Sequence, residues 1–432
     1  MANTYLTRNQ TGQSTTRTWT FSAWVKRGAI SGDQRIYSCD DDASGNHDDW
    51  FRFKSDDKIQ IGGYSNAYYI QLITTRLFRD TSAWYHLVVT VDTTQGTASN
   101  RVKLYVNGIQ ETSFSTATYP SQNSNTFVNG WSSNLYPLEI GRRGNGNSQF
   151  FNGSMSHIHF VDGTAYPAST FGSTDATTGE WKINTSPSIT MGTNGFTILK
   201  DGNTITDQSS NSNDFTLGAG TLTNTEDCPS DVFATLNPLA LTTRQTLSNG
   251  NLTGTSSSWT SAISTIGVTT GKWYAEMKCV SGSGDGMIAG VTDEKDMSSL
   301  TGSTAGLGFT TNSIGYYNTG IKYIADSSSS YGASFTDNDI IGIALDMTSS
   351  TKTVTFYKNG ASQGAINLST TGAGTVFVGS ATSNGTTSMN FGNGYFGTTA
   401  ISSEGSNASG IGKFEYDVPT GFTALSTKGL NT

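Results

Sequence analysis

Two Asn-Gly pairs, each set between alternating apolar residues, constrain the fold of this chain more than any other sequence feature. They lie in "LYVNGIQE" (104–111) and "FYKNGASQG" (356–364). Both central residues of a tight two-residue hairpin need a positive φ angle, which Asn and Gly accept more readily than other residues. Each pair follows a similar apolar segment, "HLVVTVD" in the first case and "IGIALD" in the second. We therefore expect the same strand, loop and hairpin to be built twice.

Composition favours short strands joined by tight turns. The 432 residues include 50 Gly but only 7 Pro, and charged residues make up 13 % of the chain. Ser, Thr and Asn fill much of the remainder, as is typical of proteins with many turns. With 8 Trp, 18 Tyr and 21 Phe, large side chains are available to fill substantial cores. The prediction is an all-β protein of two antiparallel jelly-roll β-sandwiches, joined by a partly extended connector.

The first sandwich is predicted over residues 18–165. In "TWTFSAWVK" (18–26) the residues alternate with a period of two, as in a half-buried strand. The segments "WYHLVVTVD", "VKLYVNGIQE", "LEIGRR" and "FNGSMSHIHFVDG" follow in that order. This series resembles the laminin-G-like branch of the concanavalin A-like jelly rolls, and the resemblance implies a β-sandwich.

The second sandwich, with a C-terminal tail, is predicted over residues 242–432. Its segments "GKWYAEMKCV", "GMIAGVTD" and "DIIGIALDMTSSTKTVTFYKNG" occur in the order found in a SPRY domain, which this region resembles. The SPRY pattern is a G-K-x-Y-x-E strand, a G-V strand, and then D-x-I-G-x-x-L-D and F-x-K-N-G. The matching residues are Gly271, Lys272, Tyr274, Glu276, Gly290, Val291, Asp339, Ile341, Gly342, Leu345, Asp346, Phe356, Lys358, Asn359 and Gly360.

The remaining segments are predicted to be an arm and a connector. Residues 1–17 are interpreted as an N-terminal arm that orders only against a neighbour. Residues 166–241 are interpreted as a connector whose short strands pack on the first sandwich. The segments "YLTRNQTGQSTTRTWTFSAWVKRG", "GTAYPASTFGSTDATTGEWK" and "DVFATLNPLA" resemble virion structural proteins of marine tailed bacteriophages. That resemblance implies a virion protein that is assembled in the host cytoplasm.

Charge and hydropathy argue against several classes of partner. The net charge is −8, the pI is near 5.0, and no basic patch is evident, so we expect no nucleic acid partner. No apolar run approaches the roughly 20 residues that span a bilayer, and "MANTYLTRNQ" has no apolar signal region. We therefore expect neither membrane insertion nor a cleaved secretory signal. Cys39, Cys228 and Cys279 are far apart and odd in number, which predicts buried thiols.

The usual signatures of catalysis are absent from the sequence. A retaining glycoside hydrolase needs two carboxyl groups about 5 Å apart, which a strand supplies from positions two apart. Glu139 and Glu276 are instead single acids on their predicted strands, and no Gly-x-Ser-x-Gly motif occurs. His157 and His159 have a spacing compatible with zinc, but with no third ligand evident a polar strand face is the simpler interpretation. We therefore expect a protein that is not an enzyme.

The acidic stretch "CDDDASGNHDDWF" (39–51) is the best candidate for an ion site. Asp40, Asp42 and Asp48 follow the order of an EF-hand loop, but Phe51 stands where the bidentate Glu belongs. Five Asp within ten residues repel one another unless they are solvated or neutralised. A calcium site of another geometry is one interpretation, and an exposed acidic loop is the other. No further cofactor is predicted.

Recognition of a glycan needs flat aromatic side chains beside polar or charged groups. Predicted loops such as "GGYSNAYYIQ", "NGWSSNLY", "GRRGNGN" and "IGYYNTGIKY" supply both. Loop aromatics also pack against sandwich edges and neighbouring subunits. The candidates for contact with a glycan or a partner are Trp50, Tyr64, Tyr68, Tyr69, Trp131, Arg142, Arg143, Tyr316, Tyr317 and Tyr323.

The sequence thus predicts a non-enzymatic bacteriophage virion protein, displayed on capsid or tail as a decoration, fibre or appendage. Its expected partners are other virion proteins, further copies of itself in a homo-oligomer, and a host-surface glycan. Two alternatives stay open. One is a lectin-like adhesin for a host receptor, which is compatible with the first function. The other is a depolymerase of capsule polysaccharide.

Overall fold

The chain forms two units, each built from an eight-stranded and a six-stranded sheet. The computed structural model describes residues 3–10, 16–40, 47–128, 136–144, 146–240, 245–282, 284–300, 306–368 and 374–431. Unit 1 comprises residues 1–224 and unit 2 residues 225–432. Strand pairing is antiparallel with few exceptions, so the predicted fold class is confirmed. Over these described ranges, no helix has the length and apolar character needed to span a bilayer.

The strands of unit 1 are three to ten residues long, and short 3-10 helices lie at Ala98–Asn100 and Ala168–Thr170. The strands are β1 (Tyr5–Arg8), β2 (Thr18–Arg27), β3 (Gln34–Asp40), β4 (His47–Phe53), β5 (Ile59–Ser65), β6 (Tyr68–Thr74), β7 (Trp84–Asp92), β8 (Val102–Val106), β9 (Ile109–Glu111), β10 (Phe114–Thr118), β11 (Leu138–Ile140), β12 (Gly153–Asp162), β13 (Gly172–Thr174), β14 (Trp181–Ile183), β15 (Phe196–Ile198) and β16 (Thr216–Ala219).

The two large sheets of unit 1 enclose one hydrophobic core. The eight-stranded sheet has the order β10-β6-β5-β4-β3-β11-β1-β16, and the six-stranded sheet has the order β15-β12-β2-β7-β8-β9. Side chains in β2 alternate between the two faces, so Phe21, Ala23 and Val25 point into this core. Strands β13 and β14 form a separate hairpin.

Residues Tyr5–Arg8 are an interior strand, which corrects the expectation of an arm that orders only against a neighbour. β1 lies between β11 and β16, and Leu6 is 2 % exposed. The guanidinium of Arg8 donates hydrogen bonds to Asn213 Oδ1 at 2.5 Å and to the carbonyl of Asn194 at 3.3 Å. These partners lie far along the chain, so the local sequence pattern gives no sign of them.

The segment predicted as a connector divides between the two units. β15 pairs with β12 and β16 pairs with β1, which places both strands on the sandwich of unit 1. Beyond residue 224, Phe233 and Leu236 are buried in unit 2 and form bridges with Ser426 and Ser264. The boundary between the units therefore falls before residue 225 and not at 241.

Unit 2 has the same two-sheet construction, with 3-10 helices at Glu294–Asp296 and Gly429–Asn431. Its strands are β17 (Thr246–Ser248), β18 (Thr253–Ser256), β19 (Thr260–Ile263), β20 (Lys272–Ser281), β21 (Met287–Asp293), β22 (Ser313–Tyr317), β23 (Ile321–Ile324), β24 (Ser327–Ser330), β25 (Ile340–Asp346), β26 (Thr353–Lys358), β27 (Ala361–Asn367), β28 (Val376–Thr382), β29 (Gly385–Asn390), β30 (Tyr395–Phe396), β31 (Thr399–Ala400) and β32 (Thr423–Ala424).

The C-terminal segment of unit 2 covers the outer side of its larger sheet. That sheet has the order β17-β18-β29-β20-β25-β26-β27, with β32 parallel to β20, and it faces the sheet β19-β28-β21-β22-β23-β24. Phe414 packs on Tyr274 with ring centroids 5.0 Å apart. The buried carboxylate of Glu276 accepts hydrogen bonds from the backbone N–H groups of Glu415 and Tyr416, both at 2.9 Å. The carboxylate of Glu276 thus holds the C-terminal segment against the larger sheet.

Both Asn-Gly pairs form the predicted hairpin turns. The φ angle is 48° at Asn107 and 79° at Gly108, between β8 and β9. It is 47° at Asn359 and 82° at Gly360, between β26 and β27. Two successive residues with positive φ define the turn that matches the twist of a hairpin. The design is therefore used twice, once in each unit.

Candidate functional site

Three of the predicted binding residues meet on the outer face of the eight-stranded sheet of unit 1, the face directed away from the core. Cross-strand pairing places Trp50 of β4 beside Gly62 of β5. It also places Tyr64 of β5 between Asp48 of β4 and Tyr68 of β6. Because side chains two positions apart share a face, Asp48 and Trp50 lie on the same side of β4. We call Trp50, Tyr64 and Tyr68 the aromatic patch.

The aromatic patch combines an exposed ring with a nearly buried one. Tyr68 is 47 % exposed, and its ring centroid lies 5.4 Å from that of Tyr64 and 6.0 Å from that of Trp50. Trp50 is 6 % exposed and covers Gly62, where an added Cβ atom would come within 2.1 Å of the indole. Any larger residue at position 62 would push the indole off the sheet. Glycine at position 62 thus allows the indole of Trp50 to lie directly on the backbone of β5.

Two guanidinium groups contact Trp50. Arg35 lies 4.9 Å from the indole centroid and forms a bidentate pair with Asp48, with both N–O distances at 2.7 Å. Arg52 lies 5.8 Å from the centroid and pairs with Asp33 at 3.0 Å. Cations near an indole face are attracted by its quadrupole. The patch is therefore held by paired charges, and each arginine has a carboxylate partner.

The predicted calcium site loses one of its ligands in this arrangement. Both carboxylate oxygens of Asp48 accept hydrogen bonds from Arg35. Burial raises the pKa of Asp48, and the hydrogen bonds from Arg35 oppose that shift. Asp40 lies opposite Asp48, and Asp42 lies outside the described residues. Across the described ranges, no three His, Cys, Asp or Glu side chains are grouped to hold a metal ion. Calcium binding by Asp40, Asp42 and Asp48 stays a prediction, and it would require Asp48 to exchange Arg35 for the ion.

Arg142 borders the same face but is occupied by local contacts. Its Nε and a terminal nitrogen donate to the two oxygens of Glu139 at 2.7 and 2.5 Å. Its guanidinium lies 3.5 Å from the ring centroid of Tyr5, and it donates to Asn147 Oδ1 at 2.7 Å. Arg142 therefore fixes the loop after β11 and offers little to a ligand.

Two donors on this face are buried without an acceptor in the part of the chain that the structure describes. Arg143 Nε lies 3.9 Å from Asp40 and 4.0 Å from Asp48, too far for a hydrogen bond. Trp50 Nε1 is also buried, and neither nitrogen has a hydrogen-bond partner among the described residues. Buried N–H groups in native proteins are nearly always paired. A ligand oxygen that reached either donor would therefore be favourable.

Tyr69 turns inward, which corrects its prediction as a binding residue. At a register shift between β5 and β6, both Tyr69 and the next residue, Ile70, face the core, although neighbouring strand residues normally point to opposite faces. The Tyr69 hydroxyl donates to the carboxylate of Asp49, which also accepts the backbone N–H of Phe127 at 2.8 Å. Tyr69 thus anchors a loop to the core. Trp131 lies outside the described residues.

Tyr316 of unit 2 belongs to the core and is also corrected as a binding residue. It is 0 % exposed, its ring lies 5.0 Å from that of Phe335, and its hydroxyl donates to the carbonyl of Ala333. Successive residues of β22 point to opposite faces, so Tyr317 points outward where Tyr316 points inward.

Tyr317 and Tyr323 lie on the outer side of the six-stranded sheet of unit 2, in a ring of four half-buried aromatics. Tyr317 is 6.0 Å from both Tyr323 and Trp259, measured between ring centroids. Phe309 closes the ring at 4.7 Å from Tyr323 and 5.3 Å from Trp259. Trp259 and Phe309 were not predicted, because they come from separate segments that only the fold brings together.

Comparison with protein families defines the class of each unit. Residues 1–170 match a model described as the concanavalin A-like lectin/glucanases superfamily, of the laminin G type. Residues 272–394 match the model of the SPRY domain. The chain therefore carries an N-terminal concanavalin A-like domain and a C-terminal SPRY domain, and both predicted resemblances are confirmed. No curated protein matches the chain.

Several solved structures are similar to parts of the chain. A human SPRY domain has 16 % identity and a TM-score of 0.26, and the match covers 32 % of this chain and 90 % of that one. The SPRY domain of human HERC1 has 20 % identity and a TM-score of 0.26, covering 32 % and 85 %. A native heptameric SAP-like pentraxin from Limulus polyphemus has 19 % identity and a TM-score of 0.27, covering 38 % and 71 %.

Proposed function

We propose that this protein is a non-enzymatic binding protein of a bacteriophage virion, and that the aromatic patch of unit 1 binds a host-surface glycan. The observation that carries the binding role is the exposed ring of Tyr68 against Trp50, on a face where Trp50 Nε1 and Arg143 Nε are buried donors with no hydrogen-bond partner among the described residues. The concanavalin A-like and SPRY domains support a binding role. The virion role is supported by the resemblance of three sequence segments to phage structural proteins.

The patch has the chemistry that a sugar requires. An apolar face of a sugar ring packs against Tyr68 and Tyr64, and its hydroxyl oxygens accept hydrogen bonds from Trp50 and Arg143. A buried donor left unpaired costs about 1–3 kcal/mol, so a ligand oxygen that pairs it recovers that cost. Arg35, Arg52 and Arg142 are already paired with carboxylates, which favours a ligand rich in hydroxyl groups over a strongly charged one.

The carboxylates near the patch are poorly placed for hydrolysis. A retaining hydrolase needs one carboxylate as nucleophile and a second carboxyl group as acid, about 5 Å apart. Asp48 has both oxygens bonded to Arg35, and Glu139 has both oxygens bonded to Arg142. Ion pairs of this kind oppose both roles, which supports binding over depolymerisation.

The virion role entails assembly in the host cytoplasm, in contact with other virion proteins and further copies of this chain. Cys39, Cys228 and Cys279 are free thiols, as is usual for proteins made in a reducing compartment. Display as a decoration, fibre or appendage is tested by measuring the position and copy number of the protein in purified particles. Its absence from particles would refute the virion role.

Binding and catalysis are separated by two assays on the full chain. A glycan array that includes host-surface polysaccharides should show retention of at least one glycan. Incubation with the retained polysaccharide, followed by a reducing-sugar assay, should release no new chain ends. Release of chain ends would establish the depolymerase instead. Failure to retain any glycan would remove the glycan-binding role.

A further inference from the structure

A separate feature of unit 1 places histidines under a covering segment. Residues 166–191, which we call the flap, cross the outer side of the six-stranded sheet and pack on Val88 and Val161 through Phe171 and other apolar residues. His86 of β7 and His159 of β12 are buried on this side of the sheet. The chain has four histidines, so half of them lie beneath one segment.

The protonation state of His86 follows from its hydrogen bonds. The indole N–H of Trp181, on the flap, donates to His86 Nδ1 at 2.9 Å. An indole nitrogen is only a donor, so Nδ1 must carry no proton. The proton is therefore on Nε2, which donates to Ser22 Oγ at 2.9 Å. Trp24 stacks on the imidazole with centroids 4.8 Å apart, and the ring of Trp181 lies at its edge in nearly the same plane, with centroids 5.9 Å apart.

A second proton on His86 would break the contact with the flap. Nδ1 would become a donor facing the indole N–H of Trp181, and two donors cannot bond to each other. The imidazolium would also be buried, with Trp24 over its face and Trp181 at its edge, and this burial lowers the pKa of His86 to about 3. Protonation and the closed flap are therefore opposed.

Protonation of His159 is opposed by the closed flap in the same way. Its ring lies 5.5 Å from that of Phe171 on the flap, and its Nδ1 is 2.9 Å from Thr197 Oγ1. Burial lowers the pKa of His159 to about 3 as well.

The charged groups that face these two rings oppose protonation. His157 acts on both His86 and His159, and it repels them when it is protonated. The positive charge of Lys200 also lowers the pKa of His159. Asp201 offsets the charge at His157.

Between its two ends the flap is held mainly by Phe171 and Trp181. Thr90 Oγ1 donates to the carbonyl of Tyr166 at 2.9 Å, which fixes the start of the flap. Farther along, most residues of the β13–β14 hairpin are exposed to solvent. Trp181 packs against Gly108, where an added Cβ atom would come within 2.3 Å of the indole. Segments with few buried contacts open locally at a lower cost than the core.

We propose that the flap is an acid-released cover, which detaches from the six-stranded sheet when His86 and His159 take up protons while the sandwich stays folded. In the open state both histidines have ordinary pKa values near 6.5. Below that pH, each raises the equilibrium constant for opening about tenfold per pH unit, so the two together raise it about 100-fold. Opening exposes the indoles and the apolar sheet surface that the flap covers.

Hydrogen exchange on the full chain between pH 7.5 and 4.5 tests this proposal. Rates are corrected for the intrinsic effect of pH, and peptides from the β13–β14 hairpin are compared with peptides from β2 and β7. The flap peptide should lose protection by about 100-fold per pH unit below 6.5, while β2 and β7 keep theirs. Constant protection of the flap would overturn the proposal, and so would simultaneous loss across unit 1.

Three variants assign the effect to the histidines. His86→Gln keeps an acceptor for Trp181 but cannot titrate, so the slope should fall to about tenfold per pH unit. His47→Gln, the matched control in β4, should keep the full slope. Trp181→Phe should lower protection at pH 7.5 and reduce the slope, because phenylalanine has no N–H to oppose a proton on Nδ1. An unaltered slope in His86→Gln would overturn the proposal. If that variant does not fold, Trp181→Phe and the wild-type profile decide the question.

Discussion

Asn359 and Ile340 form two hydrogen bonds with each other across the start of a hairpin. The backbone N–H of Ile340 donates to Asn359 Oδ1, and the backbone N–H of Asn359 donates to the carbonyl of Ile340, both at 2.8 Å. Asn107 and His86 form the same pair at 2.8 and 2.9 Å. Asparagine in each turn therefore serves two purposes, since it accepts a positive φ angle and its side chain pairs with the preceding strand.

Replacing the turn asparagine should destabilise unit 2. Asn359→Ala places alanine at a φ of 47° and leaves the backbone N–H of Ile340, a buried residue, without its side-chain acceptor. The left-handed conformation costs about 1–2 kcal/mol and the unpaired donor about 1–3 kcal/mol. Urea unfolding should show a loss of about 2 kcal/mol or more. Asn367→Ala, at an exposed position in β27, is the control, and equal losses in the two variants would contradict this account.

Glu276 should make the C-terminal segment pH-dependent. Burial raises the pKa of Glu276 to about 7, above its ordinary value of 4.5. Between these values the folded protein keeps a proton that the unfolded chain has lost, so stability falls as the pH rises from 4.5 through 7. The total change is about 3 kcal/mol. Hydrogen exchange of residues 411–418 should therefore speed up, after intrinsic correction, as the pH rises through this window.

Glu276→Gln should remove that dependence. The amide does not titrate, and its NH₂ group would face the backbone N–H of Glu415 or Tyr416, so exchange should be faster at pH 5 and nearly independent of pH. Glu404→Gln is the matched control, because Glu404 is exposed on the same segment. A pH profile shared by the wild type and Glu276→Gln would contradict the assignment.

The pair of Arg35 and Asp48 should behave as a buried ion pair. Asp48→Asn leaves the Arg35 guanidinium buried without its counterion, and removal of one partner of such a pair costs about 3–5 kcal/mol. The double variant Arg35→Met, Asp48→Leu should recover much of that loss. Asp56→Asn, which breaks a more exposed pair with Lys54, should cost less than about 1 kcal/mol. Denaturant unfolding of the four proteins checks this, and equal costs for Asp48→Asn and Asp56→Asn would refute it.

Local alternation in the sequence was enough to predict several strands, such as β2, β7 and β20, and the two hairpins. It was not enough for β5 and β6, whose residues 62–71 were predicted to be a loop. In β2, the period of two assigned Phe21 and Val25 to the core correctly. The Asn-Gly pairs predicted both turns because their φ requirements are local. Structural features that depend only on two or three neighbouring residues could therefore be predicted from the sequence.

Interruptions of the alternation could not be predicted. His157 has a φ of 47° and lies in a register shift of β12, so His157 and His159 do not follow the simple alternation assumed for a zinc pair. A shift beside Tyr64 likewise turns Tyr69 toward Asp49. Such bulges add a residue on one strand only, and their position depends on the partner strand. The sequence therefore identified residues near the site but misassigned the direction of some side chains.

The affinity of the full chain for the glycan retained on the array, compared among Tyr68→Ala, Ile109→Ala and wild type, tests the central claim most directly. Tyr68 and Ile109 are both exposed, at 47 % and 75 %, but Ile109 lies on the other sheet of unit 1. Loss of the stacking surface at Tyr68 should weaken binding tenfold or more, equivalent to about 1.4 kcal/mol. The account predicts this loss for Tyr68→Ala alone, with Ile109→Ala binding as the wild type does. Equal affinities for all three proteins would contradict it.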